Sequence, residues 1–267
     1  MSDTVKHKKR WFLKTELVVL AFVLCICVLK SVIIDIGGTR AAVRKPVVRI
    51  SPDSTNAHFL LGDAYFDLGR YEEAIAAYKR AIKIVPDDTD AHFRLGDAYY
   101  DLGRYQEAIE AYKRAIKIEP NGTDADFRLG DSYYDLGDCQ KSIDAYKQAV
   151  KIRPNDALAY ISLGLSYCDA GRYEEAIKAY KQAIRLEPDI AGLYLLLGQA
   201  YSQMGRHQEA IAAYKHVIDA EPNRAKAHYH LGKAYLEIGN KDLALEEYQI
   251  LSRLDKELAK ELFGLAK

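Results

Sequence analysis

The sequence predicts an all-α protein, a solenoid of six helix-turn-helix units behind an N-terminal transmembrane helix. Three observations carry that prediction. Six of the seven prolines, Pro52, Pro86, Pro120, Pro154, Pro188 and Pro222, stand 34 residues apart. Two glycine ladders keep the same period, one from Gly62 to Gly232 and one from Gly69 to Gly239. Ahead of them, Leu17 to Leu29 is an unbroken apolar run. Three registered ladders mark stacked supersecondary repeats rather than one globular core.

The two parts differ in charge. The chain of 267 residues is 49% hydrophobic and balances 38 basic against 38 acidic residues, which excludes the strongly basic character of generic nucleic-acid binders. Residues 1–50 nevertheless hold 10 Lys/Arg and 3 Asp/Glu, whereas residues 51–267 hold 28 and 35. A basic tail, residues 1–16, leads into the apolar run.

The 13 apolar residues alone suit the hydrophobic part of a signal peptide. No small-residue cleavage site succeeds them, because Lys30, Val32, Ile33 and Ile34 occupy that stretch, and Leu24 and Ile26 do not suit a lipoprotein site. Extension to Ile36 gives a helix of about 30 Å, enough to span, with Lys30 placed to snorkel. Residues 17–36 are therefore read as an uncleaved transmembrane signal anchor, a cleaved signal peptide and a buried helix being the alternatives. Five Lys/Arg flank the run on each side, so the positive-inside count is tied. The short basic N-terminus favours the cytoplasm, which makes the chain a single-pass membrane protein with an extracytoplasmic repeat domain. Residues 37–54 read as a basic linker.

Counted from Thr55, the units are 55–88, 89–122, 123–156, 157–190, 191–224 and 225–258. The first helix of each carries apolar residues at helical spacing, such as Leu61, Ala64, Tyr65 and Leu68, and stops at a glycine able to turn left-handed. The second opens on acidic residues such as Glu72 and Glu73, which suit the positive helix end. Ala74, Ile75, Tyr78, Ala81 and Ile82 point inward until Pro86 forbids continuation. The Asp or Asn after each proline, such as Asp87 and Asn155, is expected to turn the chain and cap the next helix. Residues 259–267 are expected to close the C-terminal end, and Lys256 stands where the sixth unit's proline would be.

Leu61, Gly62, Tyr65, Ala74, Tyr78, Ala81 and Pro86, recurring through the units, resemble the tetratricopeptide repeat signature in order and spacing. Ser142 replaces one alanine, and Val217 and Leu251 another. The resemblance covers 204 residues. It implies a right-handed superhelix whose first helices line a concave groove with positions 2, 5, 6, 9, 12 and 13 of each unit.

On that implication the groove of units one to three carries Phe59, Phe93 and Phe127, with Phe66, Tyr100 and Tyr134. Between them run Asp63, Asp97 and Asp131, and Asp67, Asp101 and Asp135, four residues apart on one helix face. Two readings are open: an acidic, aromatic groove for an extended basic peptide, or aspartates that pair with Arg94 and Arg128 of the adjacent units. Units four and five place Leu158, Ile161, Leu165, Cys168, Leu195 and Leu196 there, an apolar lining that a monomer seldom exposes. The clamp by which some tetratricopeptide domains hold a chaperone's C-terminal carboxylate, Lys at position 5 and Asn at position 9, is absent.

Catalysis, a cofactor and a metal are not expected. Gly37-Gly38 lacks the Gly-Lys-Ser/Thr of a phosphate loop, His228 and His230 point different ways on one helix, and His58 and His92 read as surface or packing residues. Cys25, Cys27, Cys139 and Cys168 are too scattered for a zinc site or disulfide scaffold. The expectation is a non-enzymatic, membrane-tethered adaptor that binds a segment of another protein. The alternatives are a scaffold self-associating end to end, favoured by the departures at Asp138, Cys139 and Lys141, or an accessory subunit of an envelope glycosyltransferase, secretion or pilus machine.

Overall fold

A computed structural model describes residues 55–121 and 124–266. The anchor expected at residues 17–36, its basic tail and the linker up to residue 54 lie outside the described residues. No helix among the described residues is long and apolar enough to cross a membrane.

The described residues form thirteen helices and no strand. They fall into two compact units, divided between Ala125 and Asp126. The first holds two helical hairpins, α1 (Thr55–Asp67) with α2 (Tyr71–Ile84) and α3 (Thr89–Asp101) with α4 (Tyr105–Ile118). The second holds four: α5 (Ala125–Asp135) with α6 (Cys139–Ile152), α7 (Ala157–Asp169) with α8 (Tyr173–Leu186), α9 (Ala191–Gln203) with α10 (His207–Ala220), and α11 (Ala225–Glu237) with α12 (Lys241–Leu254). A single helix, α13 (Lys256–Leu265), ends it.

Two kinds of glycine build each hairpin. Gly69 has φ 68°, which lets its amide reach the Phe66 carbonyl while the Arg70 amide bonds the Tyr65 carbonyl, both at 2.8 Å. The other kind allows close helix contact. A Cβ on Gly62 would lie 2.4 Å from the Tyr78 ring, and the same overlap recurs between Gly198 and Tyr214. Tyr78, Tyr112, Tyr180 and Tyr214 are accordingly buried, with Ala74 and Ala81 beside the first of them.

The helix caps differ from expectation by one place. The residue directly after the proline is used up in the turn, and the next one caps. Asp88 accepts from the Ala91 amide at 3.0 Å and Asp156 from the Ala159 amide at 3.2 Å. Ile190 and Arg224 hold that place later and make no side-chain cap bond.

A charged latch closes most hairpins at the turn. Arg70 donates to Glu73, Arg104 to Glu107, Arg172 to Glu175 and Arg206 to Glu209, each at 2.6–2.7 Å. Each guanidinium also covers a tyrosine ring, as Arg70 does Tyr65 at 4.6 Å. The third repeat swaps the charges, with Lys141 donating to Asp138 at 2.6 Å. The departures at Asp138 and Lys141 thus compensate each other. These exposed pairs contribute little to stability singly.

Position 4 is more than packing. His92 is buried, its Nε2 donating to the Pro86 carbonyl at 2.9 Å, and His228 does the same to Pro222 at 2.8 Å. Between the third and fourth repeats lies a buried hydroxyl pair, Ser142 Oγ and Ser166 Oγ 3.0 Å apart, with Ser142 donating to the Cys139 carbonyl at 2.9 Å.

The C-terminal end begins earlier than residue 259. With Lys256 in place of proline the helix can resume at once, and Asp255 serves as the whole turn, accepting from the amides of Glu257 and Leu258. As a result α13 packs on both α11 and α12. Leu262 fills the space over Gly232 that a tyrosine fills in the other repeats, and Tyr248 tilts against Phe263 instead.

Candidate protein-binding groove

The first-helix aspartates at position 9 turn inward. The Tyr78 hydroxyl donates to Asp63 at 2.7 Å, that of Tyr112 to Asp97 at 2.8 Å and that of Tyr146 to Asp131 at 2.7 Å. Burial first, and then the Asp63 carboxylate, push the Tyr78 hydroxyl far above its ordinary range. Burial also raises the Asp131 carboxyl, against the pull of Tyr146 and Arg128. Arg94 lies 3.6 Å from Asp63 and 3.8 Å from Asp97, and Arg128 lies 3.5 Å from Asp131. These three carboxylates therefore have internal partners. Asp67, Asp101 and Asp135 are the exposed ones.

The aromatic residues are likewise half-buried. Phe59, Phe93 and Phe127 tilt against Tyr78, Tyr112 and Tyr146 with ring centroids 5.6–5.9 Å apart. Phe66 meets Tyr71 edge-on and Tyr100 meets Tyr105. The Tyr134 hydroxyl bonds Asp169 of the next repeat, which with burial pushes it up to about 12.

In the fourth to sixth repeats the residue at position 9 changes to Leu165, Gln199 and Lys233. With no aspartate to receive them, the tyrosine hydroxyls turn elsewhere: Tyr180 lies 3.5 Å from Cys168 Sγ and Tyr214 lies 3.1 Å from Ser202 Oγ. Burial pushes the Cys168 thiol up, and it raises the Tyr214 hydroxyl to about 12. A cavity of about 770 Å³ opens here along α7, α9 and α11. Leu165, Cys168, Leu196 and Ala200 are its apolar wall. Gln199, His207, His230 and Lys233 bring polar atoms to it.

Those polar atoms are incompletely used. Gln199 Nε2 donates to His230 Nε2 at 3.0 Å, so the His230 proton sits on Nδ1. The imidazole stacks on Tyr214 at 5.5 Å and 21°. Burial, then Lys233 and Lys226, hold His230 below its ordinary value. His207 Nδ1 is buried with no hydrogen-bond partner.

Models of the TPR repeat match residues 62–103, 96–137, 130–167 and 164–205, and a tetratricopeptide repeat model matches 195–256. The chain belongs to the tetratricopeptide repeat family. Among solved structures it is similar to MamA, with 31% identity over 64% of this chain and 94% of that one, at a TM-score of 0.61. It shares the fold of YrrB, described as a TPR protein with an unusual peptide-binding site, at 19% identity, with 69% of this chain and 96% of that one covered and a TM-score of 0.62. It shares the fold of pilF from Pseudomonas aeruginosa too, at 18% identity, covering 80% and 97%, with a TM-score of 0.61. No curated protein sequence matches the chain.

Within this family frame the expected apolar lining divides. Leu165 lines the cavity, Ile161 is half-buried and Leu158 is exposed. Leu195 is 8% exposed and packs in the core. Its side chain, shorter than the phenylalanine at this place in earlier repeats, ends inside the packing. Sequence reasoning missed Ser202, His207 and the Gln199–His230 pair. Their signal was the loss of aspartate at position 9 after the third repeat. Among the described residues no cluster of His, Cys, Asp or Glu converges as a metal site.

Proposed function

We propose that this tetratricopeptide protein is a non-enzymatic, membrane-tethered adaptor whose fourth to sixth repeats hold an extended segment of a partner protein. The cavity along α7, α9 and α11 carries the reading: about 770 Å³ of space with an apolar wall and the polar side chains of Gln199, His207, His230 and Lys233 beside it. Such a site takes an apolar side chain on its wall and hydrogen-bonds the segment's backbone at its rim. The family supports binding over catalysis, and YrrB's description as peptide-binding supports a peptide ligand. Residues 17–36 would supply the tether, with the repeats extracytoplasmic.

Within the first unit taken by itself, a basic segment would meet Asp67 and Asp101, which are exposed. This narrows the acidic groove of the sequence reading to its outer carboxylates.

Site-specific photo-crosslinking in native membranes tests the proposal. A photoreactive residue at Leu196 should trap a defined partner, and one at the exposed Glu174 on α8 should not. Equal trapping at both positions, or none at Leu196, would remove the groove as the binding site.

A further inference from the structure

The last repeat leaves uncovered what every other repeat covers. The second helices present Ile75, Ile143, Ile177 and Ile211 at position 21, each 7% exposed or less. Leu245 holds that place on α12 and is 50% exposed. The difference lies in the next element of the chain. Each helix of the first group precedes another repeat's first helix, whereas α12 precedes α13. Because Asp255 is the whole turn, α13 leans toward α11 and covers Leu251 in the second half of α12. In the first half Ala244 is buried, while Lys241, Asp242, Leu245 and Glu246 stay exposed.

The opposite end shows the complementary gap. Ala64 at position 10 of α1 is half-buried, although Ala98, Ser166, Ala200 and Ala234 at the same place are buried. Leu68, four residues on, is 63% exposed, whereas Leu136, Met204 and Ile238 are 40% exposed or less. The Ser142–Ser166 bond gives the stacking register, position 20 of one second helix against position 10 of the next first helix. In that register a free α1 would lay Ala64 over Ala244 and bring Leu68 beside Leu245.

We propose that a second copy of this chain docks its α1 on the first half of α12, so that arrays join head to tail. The occupant is indicated by the chain's own repeat-to-repeat contact, continued across two molecules. The contact is heterologous, so it does not close on itself at the dimer. It is separate from the groove and stands or falls independently of the peptide reading.

Sedimentation velocity of the full chain in a mild detergent, over a range of concentrations, tests this. Wild type should form a concentration-dependent series of oligomers. Leu245→Lys and Leu68→Glu should each weaken association at least about tenfold, because each buries an unpaired charge at the contact. An equimolar mixture of the two should recover dimers, since each variant keeps one intact end, and that recovery also shows both to be folded. Lys233→Glu, in the groove, should associate as wild type does. A monomeric wild type would overturn the proposal. So would a Leu68→Glu variant that associates normally, which would instead pair C-terminal ends with each other.

Discussion

Tyr146 donates its hydroxyl to Asp131 at 2.7 Å, joining two helices of one hairpin from positions fifteen residues apart. The carboxylate that looks like a ligand contact in sequence is thus the acceptor for a buried phenol. Removing the acceptor and removing the charge should have different effects. Asp131→Ala strands the hydroxyl and should cost about 1–3 kcal/mol. Asp131→Asn keeps an oxygen to accept the proton and should stay within about 1 kcal/mol of wild type. Urea unfolding of both variants distinguishes an acceptor role from a charge role.

Burial raises the carboxyl of Asp126 above its ordinary 3.8. A group with a raised folded pKa favours folding fully below the unfolded value, and that contribution is lost as pH rises through the folded one. Asp126→Asn should therefore be more stable than wild type at neutral pH. The gap should close as pH falls toward 3.8. Melting temperatures across that range check the sign; a gap that widens on acidification would contradict it.

Gly164 and Gly232 occupy the same place in their repeats but face different neighbours. A Cβ on Gly164 would meet the rigid Tyr180 ring at 2.4 Å, whereas one on Gly232 would meet the movable tip of Leu262 at 2.6 Å. Gly164→Ala should cost about 1–3 kcal/mol through overpacking, and Gly232→Ala clearly less. Equal losses in thermal unfolding would argue against the different packing of the last repeat.

Ser142 and Ser166 should show strong coupling. Either change to alanine alone disturbs a fully buried hydroxyl pair and should cost about 1–3 kcal/mol, while the double change should recover much of that loss. A double-mutant cycle measures the coupling directly.

The membrane tether proposed for residues 17–36 has a simple biochemical readout. Full-length protein should remain in the membrane fraction after alkaline carbonate washing, with a precursor N-terminus. A mature terminus beyond residue 30 would replace the anchor with a cleaved signal peptide.

Much of the fold was legible because proline and glycine act locally. Pro86 stops a helix wherever it stands, and Gly69 turns the chain at φ 68° whatever surrounds it. The side-chain roles were not legible in the same way. Asp63 and Tyr78 meet only through the crossing of two antiparallel helices, and sequence spacing does not reveal that crossing. Likewise, His92 reaches back to Pro86 across an inter-helix turn. Lys256 was visible as an exception, but its consequence, a helix restarting after one residue and leaning on α11, depends on packing. Where Leu165 and Gln199 replace aspartate, the hydroxyls of Tyr180 and Tyr214 meet Cys168 and Ser202 instead, beside the cavity. That is a change of partners, which composition does not record.

The affinity of the groove for the partner segment captured at Leu196 tests the central claim most directly. A synthetic peptide of that segment should be titrated calorimetrically into the full chain and into its Lys233→Glu and Leu196→Arg variants, with melting temperatures measured in parallel. Binding in the groove predicts at least about tenfold weaker affinity for Leu196→Arg, equivalent to about 1.4 kcal/mol, and a measurable change for Lys233→Glu, both in folded protein. Unchanged affinity in folded variants would contradict it and place the binding surface outside the fourth to sixth repeats.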